Sequence, residues 1–179
     1  VFLSRVMPDK GCDYILEAVR QLNAKGLQPR FSVDFYGKID AAYREQFLKE
    51  VGLLENVAWH GLLDLRTHEG YDTLASYHAM LFPTYHPSEG FAGVMIDAFI
   101  ASLPVLASDW AHNTEAITDG KQGIIYPVHN VEALTNVMEK CISGQVELQT
   151  MARNAQAEAQ KHEAKNVLTE DYLKSIGLV

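Results

Sequence analysis

With 179 residues, 47% of them hydrophobic and 21% charged, the chain is long enough to bury one sizeable core, and a single domain over 1–179 is expected. A formal net charge of -8 argues against nucleic acid as a bulk partner, because phosphate backbones are bound by a surplus of lysine and arginine. No apolar run reaches the roughly 20 residues of a membrane helix, and two cysteines far apart, Cys12 and Cys141, suggest neither a disulfide framework nor a zinc cluster, so a soluble chain in a reducing, cytoplasmic setting is expected.

In chain order, apolar runs of strand character alternate with segments of helical period, the signature of βα units feeding a parallel sheet. Val1 to Val6 reads as a core strand already under way, so a longer protein is expected around it. Ile15, Ala18, Val19 and Leu22 then recur at helical spacing. Phe31 to Tyr36 is a second strand closed by Gly37, followed by a helix from about Ala41 to Val51 and a short strand from Asn56 to His60. Tyr71 to Tyr77 predicts a short helix, Met80 to Phe82 a buried strand, and Pro83 to Gly90 a loop too rich in turn formers for an element. Phe91, Val94, Met95, Ala98 and Phe99 share one helical face, Pro104 to Ala107 and Gly123 to Tyr126 are the last strands, and Val131 to Ile142 is a helix carrying Leu134, Val137, Met138 and Cys141 on one side. From about 147 to 177 the polar, alanine-rich pattern predicts one or two closing helices.

The fold class expected is therefore α/β, a Rossmann-like doubly wound parallel sheet flanked by helices. In such sheets ligands bind beyond the carboxyl ends of the strands, where loops run into helix N-termini whose free amides favour anions. The chemistry should sit in the loops Arg5 to Gly11, Gly37 to Asp40, Gly61 to Thr67 and Pro83 to Gly90.

Arg5 stands at a strand end and Lys10 where a helix begins, so two cations flank one helix N-terminus, an arrangement that suits a diphosphate. The competing reading pairs Arg5 with a carboxylate and leaves Lys10 in solvent. Glu89 and Asp97 lie eight positions apart across a loop-to-helix junction, and eight residues is about two helical turns. Glu89 could accept hydrogen bonds from a sugar and Asp97 could hold a vicinal diol such as a ribose; alternatively, Glu89 complements the helix dipole and Asp97 is a surface acid. Asp97, set between Ile96 and Ala98 in an apolar helix, calls for a partner. The seven histidines form no HxxxH or HExxH pattern, so no metal site is expected. His86 could touch donor or acceptor. Asn113 reads as a helix N-cap.

Read in order, these motifs resemble the C-terminal, donor-binding domain of the retaining GT-B glycosyltransferases of group 1 type. Ser4-Arg5-Val6 through Lys10-Gly11 stands where that family has Gly-Arg-Leu, three variable residues and Lys-Gly. Glu89 through Asp97 stands for its Glu-x7-Glu. Ser102-Leu103-Pro104-Val105 stands for Gly-x-Pro-Val, and Asp119-Gly120-Lys121-Gln122-Gly123 for a trailing Asp-Gly-x-x-Gly turn. The chain departs from the pattern at Asp97, one methylene short of glutamate, at Ala92-Gly93, and at Ser102 in place of glycine. Phe82 to Gly90 with Asp97, Asp109-Trp110 and Asn113 is similar to a capsular and exopolysaccharide branch.

The resemblance implies one half of a GT-B fold, with the acceptor-binding N-terminal half absent from this chain, which by itself would be inactive. It implies a retaining, nucleotide-sugar-dependent transfer of a hexosyl group from a UDP- or GDP-linked donor to a saccharide or lipid-linked acceptor. It gives Arg5 and Lys10 the donor diphosphate and the leaving nucleotide, and Glu89 the transferred sugar. Gly11, Gly90, Phe91, Ala92 and Gly93 would line the donor, and Asp97 would take the ribose hydroxyls. No cofactor and no catalytic metal are implied. The setting would be bacterial surface polysaccharide synthesis in the cytoplasm, at the inner face of the membrane where the acceptor is lipid-linked. A non-catalytic nucleotide- or saccharide-binding module of the same fold is the alternative, and an epimerase or phosphorylase on this scaffold is disfavoured by the acidic pair.

Overall fold

The structure is a computed structural model that describes residues 1–90, 93–163 and 174–175. Phe91 and Ala92, and residues 164–173 and 176–177 of the closing helical segment expected up to 177, lie outside the described residues. The elements run β1 (Phe2–Leu3), α1 (Cys12–Ala24), β2 (Val33–Tyr36), α2 (Arg44–Val51), β3 (Val57–Trp59), α3 (His68–Ala75), β4 (Met80–Phe82), α4 (Gly93–Ile100), β5 (Val105–Ser108), α5 (Asn113–Ala116), β6 (Gly123–Tyr126), α6 (Val131–Ile142) and α7 (Leu148–Lys161). Strands β4 and β6 and helix α6 fall where the sequence places them. β1 is shorter than expected, though a parallel bridge from Val6 to Ile39 continues its line.

The strands form two three-stranded parallel sheets, β1-β2-β3 and β4-β5-β6, rather than one unbroken sheet. They meet edge to edge at Val1, whose nitrogen donates to the Ala79 carbonyl at 2.9 Å and whose carbonyl accepts from Leu81 N–H at 2.8 Å. One residue bonding two positions that lie two apart is the parallel-strand pattern. The strand sequence across the molecule is thus 3-2-1-4-5-6, with the order reversing between β1 and β4, where a doubly wound fold opens its binding crevice.

Helices cover both faces because the strands are largely apolar on both, Asp34 of β2 being a polar exception. Leu81 and Leu106 point into a core shared with α1, α2 and α6. Met80, Phe82, Val105 and Ala107, their immediate neighbours, point the other way, into a core shared with α3, α4 and α7. Successive strand residues alternate faces, so a strand buried on both sides must read as an unbroken apolar run, as Met80-Leu81-Phe82 does. α1 packs on α6 and α4 on α7, with Ile15, Ala18, Val19 and Leu22 each fully buried. Side chains start α3 and α6: Thr67 accepts from Gly70 N–H at 3.1 Å and Asn130 from Ala133 N–H at 2.8 Å, each satisfying an amide the helix leaves free.

Two expectations about helix ends are revised. Asn113 is not an N-cap; it is the first residue of α5, buried, and its side-chain amide donates to the Ser108 carbonyl at 2.9 Å, tying α5 to the end of β5. Ser102 is more than a lost glycine. It sits at φ 58° just past α4, where Ser102 N–H bonds Phe99 O at 3.0 Å and Leu103 N–H bonds Ala98 O at 2.8 Å, the two bonds of a Schellman stop. A β-carbon in that left-handed conformation costs about 1–2 kcal/mol. Ser102→Gly is expected to raise stability by about 1 kcal/mol after the entropy of the freer unfolded chain is subtracted, read as a higher urea midpoint. An unchanged or lower midpoint would sink this account.

Candidate functional site at the carboxyl edge

Because β1 and β4 are neighbours, the loops that leave them face each other. Between Arg5 and α1 the chain makes a single 3₁₀ turn, Pro8–Lys10, and enters α1 through Gly11 at φ 78°. Gly11 is required twice over, by that left-handed conformation and because a β-carbon there would stand 2.2 Å from the Pro83 carbonyl oxygen. Tyr85 N–H donates to Asp9 O at 2.8 Å, locking the second loop to the first.

Across this junction Lys10 Nζ donates to Glu89 Oε2 at 2.5 Å, with side chains only 7% and 10% exposed. Thr84, wholly buried at the end of β4, donates its hydroxyl to the same carboxylate oxygen at 2.5 Å. The Thr84 backbone carbonyl in turn accepts from Ser108 Oγ at 2.6 Å. A buried ion pair returns its desolvation cost only with good geometry and further hydrogen bonds, and the threonine supplies one. An ammonium has three donors; one is used here. The solvated-lysine alternative does not describe this residue.

Arg5 is exposed and makes no hydrogen bond or ion pair with the described residues, so the alternative that pairs it with a carboxylate does not hold either. No described residue occupies its guanidinium. His86 is held by Asp9, Nδ1 to Oδ2 at 2.7 Å, and its carbonyl accepts from Trp110 Nε1 at 2.8 Å and Glu89 N–H at 3.0 Å. Asp9 keeps its other oxygen, Oδ1, buried without a partner among the described residues.

The second acid lies elsewhere. Asp97 is half-buried on α4 and accepts from the Tyr71 hydroxyl of α3 at 2.7 Å, the partner its apolar surroundings require. Burial, and then the bond to Asp97, push the Tyr71 phenol up to about 12. Glu89 and Asp97 are therefore not one cluster: each has its own partner, and no hydrogen bond links the pairs among the described residues. Gly90 and Gly93 face open space, with nothing within 4 Å of a β-carbon built on either.

Thr84 and Tyr71 were not singled out by the sequence reading. Thr84 carried one signal, a hydroxyl directly after an apolar strand and proline; Tyr71 carried none, because its contact with Asp97 spans 26 positions. Three of the other histidines have ordinary partners, His60 with Asp34, His112 with Glu115 and His129 with Tyr14. The Cys12 thiol is pushed up by burial, and both cysteines are free. A cavity of about 700 Å³ opens at the opposite, amino edge of the strands, against Val1, Val33, Ala79 and Leu148. It holds none of the acids or cations described above.

Known proteins resemble the chain in sequence and in fold. The chain is 27% identical over 177 residues to a UDP-N-acetylglucosamine--peptide N-acetylglucosaminyltransferase GtfA subunit of Streptococcus gordonii, covering 96% of this chain and 32% of that protein. HepE of Anabaena, solved with UDP and glucose, superposes with a TM-score of 0.80 at 19% identity over 99% of this chain and 47% of its own. TarM of S. aureus, solved with fondaparinux, α-GlcNAc-glycerol and UDP, superposes with a TM-score of 0.80 at 21% identity over 98% of this chain and 34% of its own. At such identities the superpositions speak to fold alone, the fold of GT-B glycosyltransferases. The chain spans only 16% to 39% of the length of its curated relatives. Residues 1–159 match the profile of the glycosyl transferases group 1 family, and over that span a shared fold and a shared sequence pattern coincide: the chain belongs to that family.

Proposed function

We propose that this chain binds the nucleotide-activated sugar donor in a retaining transfer of a hexosyl group to a saccharide or lipid-linked acceptor, in bacterial surface polysaccharide synthesis. The observation that carries this reading is the buried Lys10–Glu89 pair at the point where the strand order reverses, beside Arg5, which pairs with no described residue. Arg5 and Lys10 take the donor diphosphate, and their fixed positive charge is aimed where negative charge grows as the nucleotide leaves, the largest single contribution in most such reactions. Glu89, held by Lys10 and Thr84, turns its remaining acceptor capacity to the hydroxyls of the transferred sugar. Two cations at one edge do the work that a metal ion does elsewhere, so the reaction proceeds without one. Gly90 and Gly93 keep the backbone open to the donor, Gly11 lets the two donor loops close on each other, and Asp97 takes the ribose.

The relatives' names support this reading: a UDP-N-acetylglucosamine-dependent transferase and an alpha-D-kanosaminyltransferase of Streptomyces kanamyceticus are among them, and HepE was solved with UDP. Acceptor binding and full activity are assigned to the second domain of a longer enzyme.

The test is calorimetric titration of the full-length protein with UDP, GDP and ADP, first with EDTA and then with magnesium. Binding of one nucleotide in EDTA is expected, weakened about tenfold to a hundredfold by Arg5→Ala, the worth of one charge-assisted contact. Binding that needs magnesium would remove the metal-free part of the reading. No binding to any nucleotide would favour a module that recognises saccharide alone.

A further inference from the structure

His86 and Asp9 join the same two loops as Lys10 and Glu89, with His86 Nδ1 at 2.7 Å from Asp9 Oδ2 and side chains 20% and 27% exposed. The loops do not need this pair to hold together, because Tyr85 N–H already bonds Asp9 O at 2.8 Å. The His86 backbone is fixed separately. Its N–H donates to Thr84 Oγ1 at 3.3 Å, and its carbonyl accepts from Trp110 Nε1 at 2.8 Å and Glu89 N–H at 3.0 Å. With Nδ1 held as well, the ring has one uncommitted atom, Nε2, which has no hydrogen-bond partner among the described residues.

Asp9 Oδ1 is buried without a partner among the described residues, and a carboxylate short of hydrogen bonds favours a positive neighbour. Charge along this edge leads the same way. Glu89 and Asp9 balance Arg5 and Lys10, so the four groups together carry no net charge. A sugar nucleotide brings a negative charge on each phosphate and gains another when the sugar leaves. The other charged groups of the surrounding elements are occupied: Lys10 and Glu89 hold each other, Asp13 of α1 accepts from Tyr43, and Asp109 after β5 accepts from Val128 N–H at 2.5 Å. His129, after β6, bonds Tyr14 at 3.0 Å.

On the donor reading above, on which this rests, we infer that His86 is a third cationic ligand of the donor diphosphate, doubly protonated when the nucleotide is bound, and that Asp9 is the residue that positions it. The ring then stands between two anions, with Nδ1–H on Asp9 and Nε2–H on a phosphate oxygen. An anion on each side favours the charged form. The bound state holds the proton, so binding is strongest at low pH and weakens as pH rises through the imidazole range.

The experiment is calorimetric titration of the full-length protein in EDTA with UDP or GDP, whichever it binds, from about pH 6 to about pH 8.5, a span that brackets ordinary imidazole titration. Wild-type affinity is expected to fall with rising pH, steepening towards about tenfold per pH unit. His86→Gln keeps a hydrogen-bonding side chain but no titrating ring. It should bind about tenfold more weakly at the acid end and lose the fall, leaving only the titration of the nucleotide's terminal phosphate, which has the opposite sign. Asp9→Asn should act the same way, because an amide does not stabilise a charged ring, and the double variant should lose little more. Parallel pH profiles for wild type and His86→Gln would show a merely structural pair and overturn the proposal; so would undiminished binding by His86→Gln at every pH. An Asp9→Asn variant with the wild-type profile would overturn the part given to Asp9. Any of these results, with a wild type that binds nucleotide, leaves the donor reading standing. A wild type that binds no nucleotide refutes both.

Discussion

Replacing Lys10 with alanine is expected to lower stability by about 3–5 kcal/mol and to abolish nucleotide binding together. The first effect follows from burial: Glu89 is left 10% exposed with the Thr84 hydroxyl as its remaining side-chain partner, and stranding one member of a buried pair costs about that much. Removing the pair as a whole is different. Lys10→Met with Glu89→Gln leaves no unpaired charge, and most of the lost stability should return, because buried pairs contribute little beyond what well-packed neutral groups do. Binding should not return, since one of the cations proposed for the diphosphate is still missing. Urea denaturation and calorimetric titration of the single and double variants separate the two effects. A single variant as stable as the wild type would show that the pair is not sealed from water. A double variant that binds nucleotide normally would remove Lys10 from the site.

Gly37→Ala is expected to be among the most damaging single changes outside the ion pair, at roughly 3–5 kcal/mol or failure to fold. Gly37 sits at φ 142°, and a β-carbon there would lie 1.7 Å from the Ser4 carbonyl oxygen. The loop after β2 passes so close to β1 because Gly37 N–H bonds Gly61 O at 2.6 Å and Ser4 N–H bonds Tyr36 O at 3.1 Å. Moving β1 aside would also shift Arg5, so residual binding should fall with stability. Gly26→Ala is the control: it too has positive φ, at 77°, but nothing lies within 4 Å, so it should cost only the left-handed penalty of about 1–2 kcal/mol. Thermal melts of the two variants decide the matter, and equal losses would mean that the close approach at Gly37 relaxes freely.

Most of the elements were legible because their causes are local. Met80-Leu81-Phe82 and Gly123 to Tyr126 are strands buried or bounded in ways that an apolar run with flanking turn residues records, and α6 has its cap, Asn130, in the sequence beside its apolar face. Element ends were less legible where caps are unconventional. The Asn113 side chain, which looks like a cap, is instead drawn to the Ser108 carbonyl, and Ser102 holds a conformation that its residue type gives no reason to expect.

The candidate site divides along the same line. By itself the sequence determined which residues are candidates for the chemistry and in what order: Arg5 and Lys10 around one turn, Glu89 before a helix, and Asp97 within it, since each is set by a local motif read along the chain. Only the tertiary structure decided how they are joined. Lys10 reaches Glu89 across 79 positions because the strand order reverses between β1 and β4, and Asp97 finds Tyr71 rather than Glu89 because two helices of one face bring them together. Partner choice of this kind depends on the packing of elements remote in sequence, and residue type and spacing record only what a residue can do, not which group the fold will set against it.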